Sequence, residues 1–168
     1  PEQISGYVEN GLVRFAGLWG PRTDAYTRRV VLDQTEAQFI NTNSSLQSIG
    51  WRISWLNGFG VDGTPHFNAI YRRTHGVPQV LRLGDSLSEH QSADSGLNNH
   101  YLENLCVYRE GTQVKYGAVW NQSAFQLATA VSYGLTGEQL NADVAAHQSE
   151  WRLHNLCGYT NAFACLLY

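Results

Sequence analysis

"KYGAVW" occupies residues 115–120, and near-copies stand at "RFAGLW" (14–19), "HFNAIY" (66–71) and, more loosely, "AFACLL" (162–167). The first three copies close a longer phrase: "GYVENGLVRFAGLW" (6–19), "GFGVDGTPHFNAIY" (58–71) and "VYREGTQVKYGAVW" (107–120). Tyr7, Phe59 and Tyr108 each precede an inner aromatic (Phe15, Phe67, Tyr116) by eight residues. Both flanks alternate with period two, and the middle carries Gly with Asn or Asp. That pattern predicts a β-hairpin, because a tight turn with positive φ joins two half-buried strands. A fourth copy, "GYTNAFACLL", keeps Tyr159 and Phe163 with a turn four residues shorter.

The arm before each turn repeats as well: "WRISWLNGF" (51–59), "HYLENLCVY" (100–108) and "WRLHNLCGY" (151–159). Alternation places Trp151, Leu153, Asn155, Cys157 and Tyr159 on one face of the last arm, and Arg152, His154, Leu156 and Gly158 on the other. Hairpins are expected at about 2–19, 51–71, 100–120 and 151–168.

Ahead of each arm lies a helix start. Thr35 with Gln38, Ser86 with Glu89, and Thr136 with Gln139 fit the capping box, in which hydroxyl and longer side chain satisfy two orphan backbone N–H groups. The three matches recur every 50 or 51 residues. Helices are expected at about 35–48, 86–98 and 136–149. Phe39, Ile40, Leu46 and Ile49 in the first, and Leu140, Val144 and Ala145 in the third, suggest surface helices with one buried stripe. The connectors (20–34, 72–85, 121–135) have room for a short extra helix, as in "SAFQLATAV".

The expected fold is therefore one α+β domain, residues 1–168, of tandem ββα repeats. Such repeats bury their apolar faces only by stacking. Their hairpins are expected to form a curved or nearly closed antiparallel sheet with the helices packed outside.

The chain has 168 residues, enough for one core. Its net charge is −3, and Lys115 is the single Lys among 11 basic residues. No basic face suits a phosphate backbone, so no nucleic-acid partner is expected. No apolar run approaches the length of a membrane span. The chain starts at Pro1 and has no Met, which reads as a processed mature product. Sequons at Asn43 and Asn121 point to a secreted glycoprotein. Cys106, Cys157 and Cys165 are the three cysteines, and an odd count leaves one unpaired within a monomer. A Cys157–Cys165 bridge across the last hairpin, a Cys106–Cys157 bridge between equivalent positions, and three buried thiols all stay open. So do an intermolecular disulfide and a homo-oligomer.

The phrase resembles the bacterial tandem repeat domain that also forms the N-terminal region of fungal polyglycine hydrolases. Repeats there run as a capped helix ending in G-[YW]-R-L and then a GY…G…[YF]-A-[AG]-[IV]-W hairpin. "IGWRISWLNGF…HFNAIY", "EWRLHNLCGY…AFACLL" and "GLTGEQL" (134–140) match it along nearly the whole chain. "NNHYLENLCVY" departs, with Val107 where the family has Gly, and the last turn is truncated. In that family the repeats accompany a serine hydrolase domain with an S-x-x-K signature. Here the residue three before Lys115 is Thr112, so the signature is missing from these residues. The resemblance implies a recognition or targeting role and carries over no catalytic residue.

No G-x-S-x-G, H-x-x-x-H or C-x-x-C occurs, and His90 and His100 stand ten apart. Neither an enzyme nor a cofactor is expected. Trp19, Tyr71 and Trp120 are equivalent and read as core. Trp55 is equivalent to Asn104 and Asn155, so its position tolerates polar residues and is expected to be partly exposed. An exposed Trp beside amides suits a sugar, with ring stacking on C–H faces and amide hydrogen bonds to hydroxyls. Ser54, Glu103 and His154 occupy the next equivalent position, and Arg14, His66 and Lys115 form a basic rim, one per unit. The expected function is lectin-like binding of glycans or a glycoprotein, with repeated sites giving avidity. The alternative is a protein-docking module like the substrate-targeting half of a secreted hydrolase.

Overall fold

The computed structural model describes residues 1–21, 27–74, 76–123, 129–159 and 162–167. The elements run β1 (Gln3–Glu9), β2 (Leu12–Leu18), β3 (Arg28–Thr35), α1 (Glu36–Ser48), β4 (Trp51–Val61), β5 (Thr64–Arg73), β6 (Gln79–Asp85) and α2 (Leu87–Gly96). They continue with β7 (His100–Glu110), β8 (Gln113–Gln122), β9 (Ala130–Leu135), α3 (Gly137–His147), β10 (Leu153–Tyr159) and β11 (Ala162–Leu167). The fold is α+β and mostly antiparallel strand.

The hairpin phrase closes through two-residue turns. Glu9 pairs with Leu12, Val61 with Thr64 and Glu110 with Gln113. Asn10–Gly11 and Asp62–Gly63 adopt positive φ at both positions, the geometry that matches the right-handed strand twist. Thr35, Ser86 and Thr136 are the helix caps. Their backbone N–H groups donate to Gln38 Oε1 at 3.0 Å, Glu89 Oε2 at 2.8 Å and Gln139 Oε1 at 2.8 Å. α1 buries Phe39 and Leu46 and leaves Ile40 and Ile49 exposed, while α3 fully buries none of its residues.

Two expectations change. The connectors carry a strand: β3, β6 and β9 each pair with the free edge of the inner strand. The unit is thus strand–helix–strand–strand, and its sheet order is β3-β5-β4, β6-β8-β7 or β9-β11-β10. Residues 124–128 of "SAFQLATAV" lie outside the described residues, and from Ala130 that stretch is strand. Among the described residues the ladders form four separate sheets, with β1-β2 alone in the first. The units meet by side-chain packing, side chain–backbone bonds and a backbone bond between turns, Gly111 N to Gly63 O at 2.9 Å, not by one closed ladder.

Each third strand contains an irregularity opposite the inner strand: Val31/Gln34, Arg82/Asp85 and, across from Phe163/Cys165, Ser132/Leu135. One residue there has positive φ: Asp33, Gly84 or Gly134. A Cβ on Gly84 meets nothing within 4 Å, so only backbone strain opposes it. Gly84→Ala is expected to cost about 1 kcal/mol, read from a urea titration.

Helix and sheet bury an aromatic layer inside the second and third units. Phe39 lies 5.5 Å from Phe67, and Trp120 Nε1 donates to Asp94 Oδ1 at 2.7 Å. His90 stacks on Tyr116 at 5.7 Å between ring centroids. A second layer lies between units: Leu56 of one clusters with Cys106, Tyr108 and Val119 of the next. No helix among the described residues is long and apolar enough to cross a membrane.

Candidate functional site

β1, β4, β7 and β10 are edge strands of their own sheets, and in that order they pack against one another. A bare edge exposes unpaired backbone groups. Here the following unit satisfies several of them with side chains. Gly6 N donates to Asn57 Oδ1 at 2.7 Å, Leu56 N donates to Asn104 Oδ1 at 3.1 Å, and Trp55 Nε1 donates to Ile4 O at 2.9 Å. His154 Nε2 lies 3.2 Å from Glu103 O in the same sense.

Between these four strands lies a cavity of about 440 Å³. It is lined by Ser5–Val8, Trp55–Gly60, Leu105–Val107 and Asn155–Gly158, with no charged side chain among them. Every unit contributes the two positions before its first aromatic, so Ser5, Asn57, Cys106 and Cys157 form one equivalent set on its wall. Asn155 is almost wholly buried on this wall, and among the described residues neither Oδ1 nor Nδ2 has a hydrogen-bond partner. Burial pushes the Cys106 thiol up to about 12, so it stays protonated and unreactive.

The expected sugar site does not assemble as read. Ser54, Glu103 and His154 are each an extra residue in the first strand. Pairing steps from Ile53↔Tyr71 to Trp55↔Ile70, from Leu102↔Trp120 to Asn104↔Val119, and from Leu153↔Leu167 to Asn155↔Leu166. A bulge reverses which face the following residues occupy. Trp55, Asn104 and Asn155 are therefore buried, contrary to expectation, and Trp55 spends its indole on Ile4. Glu103 lies instead beside a separate pocket of about 200 Å³ that includes Arg52, Arg72, Tyr101 and Asn121.

The basic rim is also engaged. His66 Nδ1 sits 2.7 Å from Asp33 Oδ1, and Lys115 Nζ donates to Gly84 O at 3.1 Å. Both clamp the irregular residue of the third strand. Arg14, whose hairpin pairs with no third strand among the described residues, lies 3.9 Å from Glu9. Asn43 is buried in α1 with Oδ1 accepting from Tyr71 Oη at 3.4 Å, so no glycan fits there. Asn121 is in β8, and its Nδ2 donates to Tyr101 Oη at 3.3 Å and Glu103 Oε2 at 3.2 Å. Its amide nitrogen is thus occupied by the fold.

Of the expected Cys157–Cys165 bridge, the Cys165 side chain lies outside the described residues; in the backbone ladder Cys157 pairs with Ala164 and Cys165 with Leu156. Cys157 Sγ donates to Ala164 O at 3.8 Å. Cys106 is a buried free thiol, which removes the Cys106–Cys157 bridge. Among the described residues no three His, Cys, Asp or Glu converge as a metal site.

Sequence reasoning missed a buried cluster. His90 packs among Tyr116, Trp120 and Tyr133, and its Nε2 lies 3.1 Å from Tyr133 Oη. Burial lowers its pKa against the opposing pull of Asp94 and Asp85. The sequence signal was a His at the fourth helical position after a cap, where α1 has Phe39.

Stacked, capped three-stranded units sharing one cavity define a tandem-repeat domain. The profile of the polyglycine hydrolase-like structural repeat family matches residues 1–22, 30–74 and 76–123. The chain belongs to that family. A comparison with curated proteins gives no match. The three matched segments coincide with the first three units. The fourth, beyond the matched residues, repeats the capped helix and three-stranded sheet of the second and third.

Proposed function

We propose that the chain is a non-enzymatic, extracellular recognition module that holds a neutral, hydroxyl-rich ligand, a glycan, in the cavity between its four edge strands. The observation that supports this reading is Asn155. A buried amide with both ends unpartnered costs about 1–3 kcal/mol, and a ligand carrying donors and acceptors would satisfy both. The uncharged lining favours a neutral ligand, because a buried charge needs a charged partner. The volume lies within the range of small-ligand sites. Trp55 and Phe59 contribute apolar wall.

A glycan-array screen followed by calorimetry on the best sugar tests it. Asn155→Leu is expected to weaken that binding about tenfold or more and leave stability unchanged or raised, since it removes the unpartnered amide. A loss of stability with binding intact would make Asn155 structural only.

A second reading, a protein-docking module, has its own support. Trp19, Phe15 and Leu12 are exposed on the first hairpin. A screen with no bound sugar, and a protein partner lost on Trp19→Ser, would favour it.

A further inference from the structure

Three arginines cross one face of the second unit's sheet. Arg28, Arg72 and Arg52 stand directly opposite one another on β3, β5 and β4, and like charges placed in this way destabilise a sheet. The fold does not ask for them. The third unit has Gln79, Asn121 and Tyr101 at the same ladder positions and closes them as a neutral chain. Gln79 Nε2 donates to Asn121 Oδ1 at 2.8 Å, and Asn121 Nδ2 donates to Tyr101 Oη at 3.3 Å.

The arginine charge is only partly compensated. Glu2 Oε1 lies 3.0 Å from Arg28 Nη2, and Glu2 Oε2 lies 3.6 Å from Arg72 Nη2. Arg52 donates to neutral carbonyls, those of Val77 at 2.6 Å, Trp51 at 2.8 Å and Gln47 at 3.0 Å. Among the described residues Arg72 Nε is buried without a hydrogen-bond partner.

Arg52 and Arg72 line the pocket of about 200 Å³ between the second and third units. Ser54 and Thr74 add hydroxyls on their side, and Tyr101 and Glu103 form the other side. Glu103 Oε2 accepts from Asn121 Nδ2 at 3.2 Å. Three guanidiniums here stand beside two carboxylates, Glu2 and Glu103, so one positive charge is left over. A single carboxylate on a ligand neutralises it, and the planar guanidinium fork matches that group. Glu103 sets a second requirement. It repels a bare anion and accepts hydrogen bonds from hydroxyls.

We propose that this pocket binds an acidic sugar, with Arg72 and Arg52 taking its carboxylate and Glu103, Ser54 and Thr74 taking its ring hydroxyls. The site is separate from the central cavity, whose wall carries no charged side chain. It stands whether or not that cavity holds a glycan.

Nuclear magnetic resonance titration with sodium glucuronate at low salt tests it, with glucose and sodium acetate as controls. Low salt matters because the attraction is between partly exposed charges. Glucuronate is expected to shift the Arg72 Nε–Hε resonance and the backbone amides of Thr74 and Tyr101, residues that line this pocket and not the central cavity. Glucose lacks the carboxylate and acetate lacks the hydroxyls, so each is expected to bind at least about tenfold more weakly. Arg72→Asn installs the residue type that the third unit has at this position. It is expected to keep the fold, checked by circular dichroism, and to abolish the glucuronate shifts at Thr74 and Tyr101. Glu103→Gln is expected to narrow the preference for glucuronate over acetate. Glucuronate that moves none of these resonances would overturn the proposal. So would shifts that survive Arg72→Asn, glucose or acetate binding as tightly as glucuronate, or an unchanged preference in Glu103→Gln.

Discussion

Tyr108→Ala is expected to cost about 3–5 kcal/mol of folding free energy, read from urea unfolding followed by near-ultraviolet circular dichroism. The ring is fully buried and ties three pieces together. It seats on Gly58 of the preceding unit and meets Phe67 edge-on at 5.0 Å, and its Oη accepts from Gly84 N at 2.7 Å in its own third strand. Domains of this size hold about 5–15 kcal/mol in total, so one ring carries a large share. Tyr108→Phe keeps the packing and strands the Gly84 N–H, for a loss of about 1–3 kcal/mol. Gly58→Ala attacks the same seat from the other side. Its loss should be less than additive with Tyr108→Ala, because the two share one contact. A loss below about 1 kcal/mol for Tyr108→Ala would place the joint between units elsewhere.

Acidification should weaken the fold through His90. Burial lowers its folded-state pKa below the ordinary 6.5, so the folded chain holds it neutral while the unfolded chain binds a proton. Its contribution is therefore complete above about pH 6.5 and is lost as pH falls below it, at up to about 1.4 kcal/mol per pH unit until the folded-state value is reached. The ring cannot easily escape the penalty. Tyr116, Trp120 and Tyr133 enclose it, and among the described residues its Nδ1 is buried without a partner. His90→Gln should be less stable at neutral pH and should flatten this part of the pH profile. Urea midpoints at about pH 7.5 and about pH 5 for both proteins decide it. Equal slopes would assign the acid sensitivity to other groups.

The contrast between what could be read and what could not has a local cause. Turns and caps are decided within four residues, so Asn10–Gly11, Asp62–Gly63 and the three capping boxes were legible, and with them the repeat. The third strands were not. Arg28–Thr35 and Gln79–Asp85 pair with strands that follow them by more than thirty residues, and their short, irregular ladders leave little alternation. The site failed at a single residue per unit. One extra residue at Ser54, Glu103 or His154 turns every later side chain over, and no local composition marks it. Trp55 was thus assigned to solvent when it lies against Ile4. The burial of Asn104 and Asn155 follows from the same slip.

That extra residue has another consequence. It lies outside the ladder's one-to-one pairing, so the sheet asks little of its identity. The three units fill it with a hydroxyl, a carboxylate and an imidazole on the same backbone geometry. It is a writable position in an otherwise fixed text. Substitutions there would change a unit's surface chemistry while leaving its strand pairing and its caps in place, at the cost of single contacts such as that of His154 Nε2 with Glu103 O of the preceding unit. A stack of such units can change its surface chemistry one residue at a time.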